Sequence, residues 1–76
     1  MIKIKVSRGT ITFIDPDSSR VGVMDVMGNT INYLIRPANL LDTDGTLISI
    51  DELLPGDHVI IHETHHTVEI RVLKIA

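Results

Sequence analysis

The chain predicts an all-β fold, a small antiparallel, strongly bent barrel of five or six strands, from three observations. Twelve Ile, seven Val and seven Thr make 26 of its 76 residues β-branched. Such side chains lose rotamer freedom in helices and pack well on pleated surfaces. Apolar and polar residues alternate at period two in several segments, as in Ile31-Asn32-Tyr33-Leu34-Ile35-Arg36. Clusters of Gly, Pro, Asp, Asn and Ser break the alternation about every 8 to 12 residues, the rhythm of a barrel or sandwich. The length fits one domain, residues 1–76. A domain this small buries only about 60% of the surface of its unfolded chain. With no cysteine to cross-link it, stability has to come from a dense aliphatic interior.

The elements follow in order. Ile2, Ile4 and Val6 alternate with Lys3 and Lys5, a strand with one apolar face. Thr10-Ile11-Thr12-Phe13 resumes the alternation an odd number of residues later, so the apolar face switches, and Gly9 is the expected bulge, with Phe13 in the core. Asp15-Pro16-Asp17-Ser18-Ser19 is a turn, because Pro presets φ and Asp and Ser bond nearby backbone. The second strand covers Val21 to Val26, Gly28-Asn29 turns the chain, and the third strand runs from Ile31 to Arg36, where Pro37 ends it. Asp44-Gly45 between Leu40-Leu41 and Leu47-Ile48 predicts a hairpin with both turn residues at positive φ and a fourth strand at 46–48.

Ser49-Ile50-Asp51-Glu52 matches the capping box, so one helical turn is expected near 50–54, stopped by Pro55-Gly56. The last hairpin is legible to its register. A two-residue His65-His66 loop sets Glu63 against Val68, His62 against Glu69, Ile61 against Ile70, Ile60 against Arg71 and Val59 against Val72. Val59, Ile61, Val68, Ile70 and Val72 then share one face, and a slip of one residue would drive charges into the core.

These residues carry a resemblance. Gly9-Thr10-Ile11 opening a strand, Asp44-Gly45, and Ile50-Asp51-Glu52-Leu53-Leu54-Pro55-Gly56-Asp57-His58-Val59 before the last hairpin resemble small OB-like barrels, including bacterial barrel domains of unknown function. The resemblance implies a barrel and says little of function. OB-type sheets bind single-stranded nucleic acid through a basic groove and aromatic stacking platforms. Under that alternative the residues to converge are Arg20, Tyr33, Arg36 and Arg71.

Composition narrows the function classes. The formal charge of -3 gives no global attraction to nucleic acid or anionic membrane. Base clusters in Lys3, Lys5 and Arg8, and acid in Asp42, Asp44, Asp51, Glu52 and Asp57, so the surface is dipolar. No apolar run approaches the roughly 18 residues of a span and no secretory leader is evident, which predicts a soluble, cytoplasmic protein without membrane contact.

His62-Glu63-Thr64-His65-His66 formally contains H-E-x-x-H, whose zinc chemistry needs two His on one helical face. Its flanks alternate as strands, where positions i and i+4 lie about 13 Å apart, so it predicts no zinc site. A milder arrangement has His62, Glu69 and one of His65 or His66 near each other, against the plainer reading of His58, His62, His65 and His66 as solvated decoration. No cofactor is expected. Asp15 with Asp17, and Asp42 with Asp44, are turn-capping pairs, and nothing resembles a nucleophile elbow or phosphate loop. The sequence therefore predicts a non-enzymatic module acting through protein contacts, with a protein partner or a second copy. Ile14, Met24, Met27, Leu34, Ile60, Leu73 and Ile75 fall outside the inward stripes and are the candidate apolar patch.

Overall fold

The computed structural model of the chain describes residues 4–73. Strands β1 (Lys5–Asp15), β2 (Arg20–Met24), β3 (Thr30–Leu34), β4 (Leu40–Leu41), β5 (His58–Glu63) and β6 (Val68–Leu73) form one sheet in the order β3-β2-β1-β5-β6-β4. All neighbours are antiparallel except β4 and β6, which run parallel with Leu40 opposite Ile70. The two ends of this order are joined by residues 35–39 alone, so β3 and β4 behave as one bent strand that rolls the sheet into a barrel. Its interior is the aliphatic set Ile11, Val21, Val23, Ile35, Leu40, Leu53, Val59, Ile61, Ile70 and Val72, with Tyr33 as the one aromatic.

The long first strand serves both sides, pairing with β5 through its first half and with β2 through its second. Its bend sits at Thr12, the extra residue between the pairs Ile11 to Val23 and Phe13 to Gly22, and not at Gly9. The cause lies in the hydrogen bonds of Ile11. Its N–H donates to the Asp57 carbonyl at 2.8 Å and its carbonyl accepts from the Gly56 N–H at 2.7 Å. The turn before β5 thus docks on β1 and forces the bulge.

The parity of the strand changes accordingly. Ser7, Gly9 and Ile11 point inward, while Ile4 and Val6 are exposed, opposite to the expected stripe; Ile2 and Lys3 lie outside the described residues. Gly9 has a different duty, close approach. A Cβ there would meet the Met24 carbonyl oxygen at 2.8 Å and the Val23 side chain besides. Past the bulge, Phe13 faces outward instead of into the core.

The last hairpin has the register expected from its alternation, from Val59 opposite Val72 to Glu63 opposite Val68. The capping box before β5 is complete. The Ser49 hydroxyl accepts from the Asp51 N–H at 3.2 Å, and the Glu52 carboxylate accepts from the Ser49 N–H at 2.7 Å. It opens a single 3-10 turn, Ile50–Glu52, and Gly56 leaves at φ 98°. The expected strand at 46–48 is displaced. Pairing falls on Leu40–Leu41, and Leu47 makes only an isolated bridge to Leu41. Gly45 alone adopts positive φ, 88°, because the turn is a wider loop in which the Asp42 N–H donates to the Thr46 carbonyl.

Candidate functional site

Two turns of this protein have the same construction and opposite surfaces. In residues 25–29 the Asp25 carboxylate accepts from the N–H groups of Met27 at 2.9 Å and Asn29 at 3.0 Å. The Gly28 N–H donates to the Asp25 carbonyl, and Gly28 takes φ 86°. In residues 42–46 the Asp42 carboxylate accepts from Asp44 at 3.0 Å and Thr46 at 3.3 Å, and the Gly45 N–H donates to the Asp42 carbonyl. Both turns are fixed by an Asp at the first position and a left-handed Gly at the fourth. The two apex residues differ completely. Thr43 and Asp44 are polar, with Asp44 bonded to Thr46, whereas Val26 and Met27 stand 89% and 80% exposed.

The strands behind the apolar apex continue the pattern. Met24, Ile31 and Leu34 are also exposed, so five of the ten exposed large apolar residues among the described ones fall within residues 24–34. Full burial of one such side chain is worth ~1.5–3 kcal/mol. On the outer face of β2 the Phe13 ring lies over Gly22, where a Cβ would collide with it, and remains 39% exposed. Thr12 bonds the Gly22 carbonyl at 3.3 Å on the same face. Of the residues expected to form an apolar patch, Met24, Met27 and Leu34 are exposed, Ile14, Ile60 and Leu73 are half-buried, and Ile75 lies outside the described residues.

At one mouth of the barrel a cleft of about 350 Å3 opens between β1 and the β2–β3 hairpin. Val23, Val26, Ile31 and Tyr33 form its apolar wall, with Lys5 and Arg8 opposite. Tyr33 is only 9% exposed. Burial raises its phenol above the ordinary 10.0, and the Glu63 carboxylate, which shares a hydrogen bond with it, adds to the rise. It is thus a protonated strut between β3 and the end of β5.

Of the four residues considered for a nucleic-acid surface, Arg20 and Arg36 stand at the same end of the β2–β3 pair, while Arg71 and Tyr33 stand elsewhere. Arg20 opens β2 opposite Leu34, and Arg36 follows β3. Arg71 lies on β6 opposite Ile60, 3.7 Å from Glu69. Tyr33 points into the barrel, and the aromatic ring on the outer face is that of Phe13, which the sequence reading assigned to the core. A parity count carried through Thr12 would have found it.

The histidines are dispersed. His62 meets Glu69 at 3.6 Å across the β5–β6 pair, while His65 and His66 sit at the loop with ring centroids 6.4 Å apart. Among the described residues no group of three or more His, Asp or Glu is placed to hold a metal ion. No helix there is long and apolar enough to cross a membrane.

No protein-family model matches this chain, and no curated protein matches it either. Among solved structures it is similar to apo-CusF, residues 6–88, from Escherichia coli, at 15% identity over 100% of this chain and 90% of that one, with a TM-score of 0.58. At that identity the likeness shows the fold alone: the chain is a small all-β barrel.

Proposed function

We propose that this barrel is a non-enzymatic interaction module that contacts other protein through the outer surface of its β2–β3 hairpin. One observation carries the reading. The turn at residues 25–29 is locked by Asp25 and Gly28 and yet presents Val26 and Met27, the two most exposed large apolar side chains among the described residues. An apolar apex on a rigid turn gives nothing to the fold. It suits a contact, because a preordered anchor loses little conformational freedom when it is covered.

A second reading has its own observation. The Phe13 ring lies over Gly22, and Arg20 stands two residues along the same strand, so one face of β2 carries an exposed aromatic ring and an arginine. Single strands stack on such rings. The net charge of -3 weighs against it.

An amide NMR titration separates the two. The interaction module gives concentration-dependent or partner-dependent shifts within residues 24–34 and silence with mixed short single-stranded oligonucleotides at low salt. Shifts at Phe13, Arg20 and Arg36 that fade as salt is raised would replace it with the nucleic-acid reading.

A further inference from the structure

The proposed contact surface includes a strand edge, and its pattern defines a partner. Strand β3 is a terminal strand and, among the described residues, pairs with β2 alone. Its orientation is fixed by two bonds at its ends: the Asp25 N–H donates to the Asn29 carbonyl, and the Ile35 N–H donates to the Ser19 carbonyl. Backbone groups alternate in direction along an antiparallel pair. Asn29, Ile31, Tyr33 and Ile35 therefore turn their N–H and C=O toward β2, and Thr30, Asn32 and Leu34 turn theirs outward.

Natural sheets protect such an edge with Lys, Pro, a bulge or an inward charge. The segment Thr30-Ile31-Asn32-Tyr33-Leu34 has no charge and no proline, and its pairing with β2 is regular. The edge is open to another strand.

We infer that this edge pairs with the same edge of a second copy, in antiparallel register about a two-fold axis at Asn32. The inference rests on the interaction reading above and names its partner. In this register Asn32 faces the partner's Asn32, Thr30 faces the partner's Leu34, and Leu34 faces the partner's Thr30. These are the three residues whose backbone groups point outward, so every facing pair exchanges two hydrogen bonds. On the inner face Ile31 packs beside the partner's Tyr33. On the outer face Leu34, 64% exposed in the single chain, approaches the partner's Thr30 and the partner's Met24 next to it. No charge meets a like charge. A register moved by one residue would turn the outward groups away from each other.

Beside Leu34 a cleft of about 240 Å3 separates Arg36 and Asn39 from the Thr64 to Thr67 loop, and in this register the partner's Asn29 and the partner's Gly28 come opposite Ile35 and Arg36 at its margin. The far end of the sheet differs in kind: β4 has two residues and runs parallel to β6. The association therefore closes at two copies rather than growing into a fibre.

Absence of cysteine makes the register directly testable. Facing residues of a hydrogen-bonded pair have Cα atoms about 5.5 Å apart, within disulfide reach, whereas position 30 and its own copy stand about 13 Å apart. Asn32→Cys should cross-link to a dimer under mild oxidation while Thr30→Cys stays monomeric at the same concentration. The wild-type chain should sediment as one copy when dilute and two when concentrated. Asn32→Pro removes an N–H that β2 does not use and should sediment as one copy throughout, with its amide spectrum outside β3 unchanged. Equal cross-linking at both positions, or a wild-type chain that is a single copy at every concentration, overturns the dimer. In the second case, shifts within residues 24–34 on adding a different protein would leave the interaction module standing without it.

Discussion

The two hairpins of this barrel are of similar length and similar aliphatic content, and they use that content in opposite ways. In β5–β6 the inward residues Val59, Ile61, Ile70 and Val72 are buried and Val68 is half-buried, while β1 runs along one edge and β4 pairs with the other at Ile70 and Arg71. Its loop carries polar residues, closed by the Thr64 and Thr67 hydroxyls at 2.9 Å. In β2–β3 the inward residues Val21, Val23 and Tyr33 are buried, but Met24, Val26, Met27, Ile31 and Leu34 remain exposed and one edge is open. Core formation does not account for the second set. One hairpin supplies much of the barrel's core, and the other carries the apolar surface proposed above for contact.

Truncations in the two hairpins should differ most where the β5–β6 core is enclosed. Ile70→Ala or Ile61→Ala empties a fully enclosed position and should cost ~2–5 kcal/mol, a large fraction of the 5–15 kcal/mol that holds a typical domain. Ile31→Ala, at an inward but half-exposed position of β3, should cost less than about 1 kcal/mol in the monomer. Urea denaturation of the three variants measures the contrast, and equal losses would abolish it. Gly9→Ala comes next, at about 1–3 kcal/mol, because the new methyl runs into the Met24 carbonyl and the Val23 side chain.

Grafting the polar apex onto the apolar one isolates the exposed side chains of β2–β3. Val26→Thr with Met27→Asp copies the residues at the same positions of the other turn. Stability should stay within ~0.5 kcal/mol of wild type, because neither side chain is buried. Association should fall, read by the concentration dependence of amide shifts within residues 24–34.

Titration gives a smaller signal. Tyr33 is the only tyrosine, so ultraviolet absorbance reports its phenol alone. It should ionise above pH 10.0, and Glu63→Gln should lower that value only in part, because burial is the larger cause. Its folded value is the raised one. The stability linked to it is complete below pH 10.0 and is lost as pH rises through the raised value.

The acid side has the opposite sign. A proton held by the neighbouring Asp42 carboxyl, together with the hydrogen bonds donated by the Thr46 hydroxyl and N–H, holds Asp44 down to about 2, and the Ser18 hydroxyl at 2.8 Å holds Asp15 below 3.8. Their contribution is present above about pH 4 and fades as pH falls toward 2. A midpoint series in urea from pH 5 to about 2 follows it.

Alternation made the β5–β6 hairpin legible down to its register, because a slip there buries charge. The capping box was equally plain, since both of its bonds are local. What escaped were features set by distant contacts. The bulge at Thr12 comes from Asp57 and Gly56 docking on Ile11, more than forty residues along the chain. Missing it reversed the assignments of Phe13, Ile4 and Val6. Likewise the fourth strand moved to Leu40–Leu41 because β6 offers a parallel partner there, which no local pattern announces. Within the proposed contact surface, Met24, Met27 and Leu34 could be picked out as misfits to the inward stripes. Val26 could not, because the expected second strand ran through it, and only the Asp25 cap shows it to be in a turn.

Whether the apex of β2–β3 is covered in use can be measured at one atom. Met27→Cys and Asp44→Cys place a single thiol at equivalent positions of the two turns. Each is labelled with a maleimide, first in dilute purified protein and then in the cells that produce it. Fast labelling of both thiols when purified, with Met27→Cys alone becoming slow in the cell, is the predicted result. Equal labelling of the two in the cell would show the apolar apex bare, and the assignment of β2–β3 as a contact surface would be wrong.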